Sequence, residues 1–319
     1  KMKLIVITGC LGLIGNHVTR QCLSKGWKVL GIDKMTYASN NWALQEFSTN
    51  ENFTFLKEDI CDLKTLPDCD YVINIAAESH VENSIRDSDV FMQSNVIGVK
   101  NLLNIIKGKH DNVFKRPVFF HFSTDEVYGD ITTGSHTETD ILKPSNPYSA
   151  SKAAADMLVL AWSRTYDLDY IILRPTNNYG IGQYCEKLIP LAVKLLSLDR
   201  KINLHDKGQP VRNWLHSSDT ANAVIKIIES GRVNEVFNVA GNLEQKNYDT
   251  ATKIVKAFHV DIPSDKIASF FSLEHVRKGQ DVRYALDDSK LKNLGWSPSK
   301  NFDCEIVSIV EYYKNNFKW

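Results

Sequence analysis

Leu4-Ile5-Val6-Ile7-Thr8-Gly9-Cys10-Leu11-Gly12-Leu13-Ile14-Gly15 begins with a short apolar run and continues into three glycines with two residues between each. An amphipathic stretch then runs to Lys25-Gly26. Strand, tight turn and helix in that order open a βαβ unit. One glycine makes the turn, one lets the backbone approach a pyrophosphate, and one allows close helix-strand packing, with the helix N-terminus facing the negative charge. An ordinary glycine-rich turn could be spelled the same way, so the reading depends on residues further along the chain.

Working outward, apolar runs recur at Leu4 to Ile7, Trp27 to Ile32, Phe53 to Leu56, Tyr71 to Ile75, Val118 to Phe122 and Tyr170 to Leu173, separated by helical patterns or polar loops. Runs apolar at successive positions suit strands covered on both faces, which predicts an α/β fold with a doubly wound parallel (Rossmann) sheet. After Pro175 the chain changes character. Gly180, Gly182, Pro190, Gly208 and Pro210 punctuate shorter elements, a helical stretch runs from Ser218 to Ser230, and Val236 to Val239 reads as one more buried strand. The expected division is a Rossmann domain over 1–175 with a return segment at about 214–240, and a smaller C-terminal substrate lobe in most of 176–319.

Thirty-eight basic residues balance thirty-eight acidic ones, leaving no net field to draw nucleic acid or an anionic membrane. The six cysteines form no C-x-x-C pair and no Cys/His cluster, so no metal site is assigned and the thiols suit a reducing cytoplasm. The opening apolar run is too short for a signal-peptide core or a membrane span, and Met2 is read as the initiator, so a soluble, unexported, cytoplasmic protein is expected.

Asp33 closes the second strand about twenty residues beyond the glycines, where a carboxylate accepts hydrogen bonds from adenosine ribose hydroxyls and repels a 2′-phosphate. Lys34 alone does not reverse that preference, and NAD is the expected cofactor. The glycine spacing with these features resembles the extended short-chain dehydrogenase/reductase family. By that resemblance Gly9, Gly12, Leu13, Ile14, Gly15, Asp33, Lys34 and Thr36 hold the dinucleotide, Asp59 and Ile60 contact adenine, Ala76 and Ala77 run beside the cofactor, and Ser94 lies near the nicotinamide ribose.

Tyr148-Ser149-Ala150-Ser151-Lys152 starts a strongly helical run, placing Tyr148 and Lys152 one turn apart on one face. An ammonium near the phenol, together with a nicotinamide cation, is expected to lower the phenol's pKa, so that Tyr148 serves as a base while both residues contact the cofactor. Directly after the Val118 to Phe122 strand comes Ser123-Thr124-Asp125-Glu126-Val127-Tyr128-Gly129. Thr124 can align a sugar C4 hydroxyl for Tyr148. Two adjacent carboxyl groups suit an elimination, one removing a proton made acidic by a ketone and the other protonating the departing hydroxyl. Mutual repulsion helps keep one of them protonated. His121, inside an apolar strand, reads as a satisfied core histidine, and His80 as a residue behind the site.

Ala76 to Val81, Thr124 to Asp130, Asn177-Asn178-Tyr179-Gly180, Glu186 to Pro190 and Asn213-Trp214-Leu215 resemble the nucleotide-sugar 4,6-dehydratases, above all the dTDP-glucose group, over almost the whole chain. The resemblance implies Glu126 as base, Asp125 as acid, and a 4-keto-6-deoxy product of the kind that feeds surface glycans. It places Ser79 and Val81 near the hexose, and Asn178, Glu186, Lys187, Leu188, Arg212, Asn247 and Arg277 around the diphosphate and nucleoside. It also implies a homodimer paired through the Tyr148 helix and the helix near Phe91 to Ile106. The sequence departs from the group at the base. Asn203-Leu204-His205 replaces a proline-x-tyrosine, and Arg277-Lys278-Gly279-Gln280 replaces Arg-Pro-Gly-His. Asn203, His205 and Gln280 would enlarge and polarise that pocket, which makes GDP-N-acetylglucosamine the specific substrate expected, with dTDP-glucose as the alternative. A nucleotide-sugar epimerase or decarboxylase on this scaffold would lack Asp125 beside Glu126. A sensor without chemistry would lack Thr124, Tyr148 or Lys152.

Overall fold

A computed structural model of the chain describes residues 2–109, 116–277, 279 and 281–316. The strands are β1 Leu4–Thr8, β2 Lys28–Asp33, β3 Phe53–Lys57, β4 Tyr71–Asn74, β5 Val118–Phe122, β6 Tyr170–Pro175, β7 Asn177–Tyr179, β8 Ile202–Asn203, β9 Val211–His216, β10 Glu235–Val239, β11 Leu243–Lys246 and β12 Phe271–Ser272. The helices are α1 Leu13–Ser24, α2 Asn41–Phe47, α3 Val81–Arg86, α4 Asp89–Met92, α5 Gly98–Gly108, α6 Pro147–Tyr166, α7 Leu188–Ser197, α8 Ser217–Ser230, α9 Asn247–Phe258, α10 Ser289–Lys292 and α11 Phe302–Asn315.

Seven strands form one parallel sheet in the order β10-β6-β5-β4-β1-β2-β3, so the winding reverses between β1 and β4. That reversal opens a crevice at the carboxyl ends, the place where ligands bind in such sheets. Burial on both faces explains the continuous apolar runs: every residue of β4 and β5 is buried. One core cluster lies on the α1 and α8 side, around Ile5, Phe120, Val224 and Phe237. A second lies on the α5 and α6 side, around Val6, Leu102, Phe119 and Val159.

The lobe has its own core of α7, α9 and α11 side chains, among them Val193, Ile254 and Ile309. Two small sheets, β11-β9-β7 and β12-β8, accompany it. The chain re-enters the large sheet through β10, as the Val236 to Val239 pattern anticipates. Later still, Leu291 and Trp296 pack into the same cluster as Phe237.

The helical run near Phe91 to Ile106 is interrupted. Between α4 and α5 the backbone widens into a π-helical segment, Gln93–Ile97, which carries Ser94. Such segments are rare and tend to occur at functional sites.

The glycine turn is constrained sterically. A Cβ on Gly15 would lie 1.9 Å from the Gly9 carbonyl oxygen, and one on Gly9 would meet the Ala76 backbone at 2.7 Å. Gly26, at the end of α1, has φ +71 but open space around it. Gly15→Ala should therefore destabilise the fold by about 2 kcal/mol or more, as an overpacked core position does. Gly26→Ala should cost only about 1 kcal/mol, the strain of a left-handed alanine. Urea unfolding of both variants checks this, and equal shifts in midpoint would contradict it.

Candidate active site

Each large-sheet strand near the switch point delivers a polar residue to the same edge. β1 ends on Thr8 and Gly9, β2 on Asp33, β4 on Asn74 before Ala76, β5 before Ser123 and Thr124, and β6 before Thr176. One elongated cavity runs along that edge. Its walls contain all fifteen expected cofactor residues, from Gly9, Gly12, Leu13, Ile14 and Gly15 through Asp33, Lys34, Thr36, Asp59, Ile60, Ala76, Ala77 and Ser94 to Tyr148 and Lys152. Thr124, Asp125 and Glu126 line the same cavity, so all five expected catalytic residues converge.

The dinucleotide end has the required chemistry. Gly12 caps α1 with extended backbone, leaving first-turn amides without intrahelical acceptors. The Asp33 carboxylate accepts from the Leu11 amide at 3.0 Å, the Met35 amide at 2.8 Å and the Ser39 hydroxyl at 2.9 Å. These bonds fix an anionic acceptor at the end of β2. Lys34 is held by Asp59 at 3.6 Å and Glu78 at 3.4 Å, and donates to Ser94 at 3.3 Å.

Asn146 starts α6 with a reciprocal capping box to Ser149, and Pro147 occupies the first turn. Tyr148 and Lys152 are therefore presented one turn apart at the head of a twenty-residue helix. The Tyr148 ring packs edge-on against Phe91, with centroids 6.3 Å apart, and its hydroxyl lies beside Thr124. Lys152 Nζ donates to the Phe122 carbonyl at 2.5 Å.

Burial, and then the charge of Glu126, push the Tyr148 phenol up, while the Lys152 ammonium is engaged with the Phe122 carbonyl. Burial also brings Lys152 down to about 8, opposed by Asp156.

The two carboxyl groups are distinguished by their surroundings. Asp125 sits in a 3₁₀ turn, Asp125–Tyr128, whose N-cap is Thr124. Burial and the adjacent Glu126 push Asp125 up to about 8, and its Oδ2 is buried without a hydrogen-bond partner in the protein. Glu126 is also raised by burial, but Arg212, Lys187 and a hydrogen bond from Asn146 work in the opposite direction.

A second cavity joins the first through Ser79, Glu126, Asn177, Asn178, Gln183, Glu186 and Lys187. It gathers the substrate residues expected from the sequence: Ser79, Val81, Asn178, Glu186, Lys187, Leu188, Asn203, His205, Arg212, Asn247 and Arg277. Gln280 lies outside the described residues. Thr124 faces the first cavity only. Lys187 donates to the Ser79 carbonyl at 2.7 Å, and Arg277 approaches Glu82 at 3.6 Å.

Several residues of the site were not singled out from the sequence. Asn146 contacts Glu126, and Tyr284 places its hydroxyl 3.4 Å from Glu126 Oε2. Arg174 donates to Asp156 and to the Tyr128 hydroxyl, binding α6 to the 3₁₀ turn. An arginine in an apolar strand, and an acid four residues beyond Lys152 on the same helix face, were the available signals for that pair. His121 is fully buried, with Asn74 at 3.3 Å on one side and Asp156 at 3.7 Å on the other, a core role in keeping with its sequence reading.

Similarity to known proteins agrees with this geometry. A family model described as GDP-mannose 4,6 dehydratase matches residues 6–308. A probable dTDP-glucose 4,6-dehydratase of Sinorhizobium fredii is 40% identical, covering 99% of this chain and 94% of its own length. The dTDP-glucose 4,6-dehydratase of Haemophilus influenzae is 38% identical, with 99% of each chain covered. Among solved structures, a dTDP-glucose 4,6-dehydratase of Streptomyces venezuelae, crystallised with NAD, superposes with a TM-score of 0.91 at 34% identity, covering 98% of this chain and 97% of its own.

The contrast between the carboxyl groups has a spectroscopic consequence. The protonated-carboxyl infrared band should lose one component as the pH rises through about 8, and Asp125→Asn should remove that component. Persistence of the component in Asp125→Asn would reassign it.

Proposed function

This chain belongs to the GDP-mannose 4,6 dehydratase family, and from that premise we propose that Thr124, Asp125, Glu126, Tyr148 and Lys152 carry its dehydration chemistry. It is a nucleotide-sugar 4,6-dehydratase, a hydro-lyase. The carrying observation is the pair Asp125 and Glu126, adjacent at the end of β5, sharing one cavity with Tyr148 and surrounded so differently that the first holds its proton up to about 8.

The cofactor is NAD, which when bound accepts the hydride lost at C4 and returns it at C6. Thr124 hydrogen-bonds the C4 hydroxyl and Tyr148 takes its proton, with the Lys152 cation one turn away offsetting the phenolate. Glu126 removes the C5 proton, acidified by the C4 ketone. Asp125 gives its proton to the C6 hydroxyl, which leaves as water, and Glu126 later returns a proton to C5. Ser79 and Val81 border the hexose, while Lys187, Arg212 and Arg277 meet the diphosphate with charge-assisted hydrogen bonds.

For the nucleotide, we infer dTDP-glucose, the substrate named for the two relatives and for the Streptomyces venezuelae structure. GDP-N-acetylglucosamine, expected from the sequence, gains no support from them. It remains as a second reading on one observation: Asn203 and His205, which replace the related group's proline-x-tyrosine, line the second cavity. We also infer a homodimer, since Val90, Met92 and Ile97 near α4 and α5, and Met157 on α6, are exposed apolar side chains. Deoxysugar nucleotides of this kind supply surface glycans, which places the work in the cytoplasm.

Turnover of dTDP-glucose, UDP-glucose and GDP-N-acetylglucosamine, followed by mass spectrometry for a product lighter by one water, tests the nucleotide. A dTDP-glucose preference in kcat/KM of at least about tenfold, roughly 1.4 kcal/mol, is expected. A preference for the GDP sugar would replace the first reading with the second. The carboxyl roles separate in deuterium oxide. Glu126→Gln should lose both water elimination and C5 exchange by about 10²-fold or more. Asp125→Asn should lose elimination to a similar extent yet still exchange C5 of the recovered substrate. The reverse pattern would exchange their assignments.

A further inference from the structure

From Glu126 a chain of hydroxyl and carboxyl groups leads outward to Ser145, the residue before the cap of the catalytic tyrosine's helix. The Tyr284 hydroxyl stands 3.4 Å from Glu126 Oε2 and is hydrogen-bonded to Asp281 Oδ2. Asp281 Oδ1 accepts from the Ser145 hydroxyl at 2.5 Å. Tyr284 and Asp281 are each only 3% exposed, whereas Ser145 is at the surface. The Arg212 guanidinium lies over the Tyr284 ring, 4.7 Å from its centre, and donates to the Asp281 carbonyl at 3.1 Å, which holds the segment against Glu126. None of these contacts is needed to bind a cofactor or to orient C4.

We propose that Tyr284 and Asp281 form a proton relay connecting Glu126 to solvent at Ser145, through which the proton taken from C5 exchanges with water while the sugar remains bound. The proposal rests on the dehydratase reading. Glu126, Tyr284 and Asp281 all border the second cavity, whereas Ser145 lines neither cavity and is exposed. With substrate and cofactor seated, the chain's outer end at Ser145 still meets solvent.

The step balances as a double hop. Protonated Glu126 gives its hydrogen to the Tyr284 oxygen as the Tyr284 hydrogen passes to Asp281 Oδ2, so the tyrosine stays neutral throughout. Asp281 then releases a proton to water beside Ser145, and the reverse sequence reloads Glu126 before C5 is reprotonated. Burial favours this order. It raises the Tyr284 phenol well above its ordinary value, excluding a standing tyrosinate, and it raises Asp281 toward a carboxyl able to hold a proton briefly. A chain of hydrogen-bonded groups with each member satisfied transmits a proton without moving a heavy atom far.

The test reads the C5 isotope in product formed in deuterium oxide, at low conversion, from whichever of dTDP-glucose, UDP-glucose or GDP-N-acetylglucosamine is turned over. Wild-type product should carry deuterium at C5. In Tyr284→Phe, which keeps the ring beneath Arg212, and in Asp281→Asn, which keeps the hydrogen-bonding shape, the C5 deuterium per molecule of product should fall at least about tenfold, whatever happens to the rate. A bracing role would slow turnover and leave the isotope ratio unchanged, and that result in either folded variant overturns the relay. Wild-type product retaining protium at C5 overturns it too, without any variant, and leaves the dehydratase reading intact. Absence of any product lighter by one water, from all three sugars, would instead sink that reading itself.

Discussion

The buried pair of Arg174 on β6 and Asp156 on α6 is the constraint on which the site's geometry hangs. Two guanidinium nitrogens approach Asp156 Oδ2 at 3.0 Å, with the side chains 3% and 0% exposed. Removing one partner of such a pair leaves an uncompensated charge in the interior and costs about 3–5 kcal/mol. Asp156, Lys152 and Tyr148 succeed one another at single helical turns on one face. Fixing Asp156 therefore fixes where the phenol arrives over the end of β5. The same guanidinium donates to Tyr128 at 2.8 Å, inside the 3₁₀ turn that carries Asp125 and Glu126. One cation thus ties both catalytic segments to the sheet. Tyr128 passes the connection to Asn238 on β10, at 2.8 Å.

Around this frame, a row of polar groups crosses the interior just below the cavity: Thr8, Asn74 and His121 on neighbouring strands in register. Polar atoms at this depth are costly unless each has a partner, and here the bonds among the three leave His121 Nε2 facing Asp156 at 3.7 Å without a hydrogen bond. Above the row, burial alone would raise Asp125 and Glu126 alike. Arg212 opposes that rise at both groups, and the asymmetry comes from Lys187 and the Asn146 hydrogen bond, which act on Glu126. Arg212 and Lys187, brought from the lobe, favour an ionised Glu126, and the resulting charge then helps hold the Asp125 proton. The lobe consequently contributes to the acid-base division as well as to substrate binding.

How much of this the sequence disclosed depends on the range of the interactions. The glycine turn, Asp33, the acids after β5 and the Tyr148 to Lys152 spacing are local patterns, each set by the geometry of one element, and each was legible. The parallel sheet was legible through the apolar runs, whereas the order of its strands came only from the structure. Tyr284 and Asp281 were not, since their approach to Glu126 joins positions 158 residues apart across the two parts of the chain. Asn146 was read past because it precedes Tyr148 as an ordinary helix cap, although the same side chain touches Glu126. The π-helical segment at Ser94 carries no compositional mark. Spacing puts Lys152 near Tyr148 without revealing that the Phe122 carbonyl takes its hydrogen bond.

The two acids also divide along a line that neither spacing nor charge states by itself. A buried carboxyl oxygen without a partner costs about 1–3 kcal/mol, and Asp125 Oδ2 is such an atom, so the fold bears a cost that a ligand can relieve. A proton held there has nowhere to go except into the cavity, which suits a group that must wait for a leaving oxygen and must not leak its proton beforehand. Glu126 has the opposite surroundings, with Asn146, Tyr284 and the cationic side of the lobe all in reach. On the proposed assignment Glu126 takes and gives a proton at one carbon, and that connection serves it twice in each turnover. Isolation of one acid and connection of its neighbour therefore separate the two proton transfers more firmly than their ionisation does, although both groups occupy the same 3₁₀ turn.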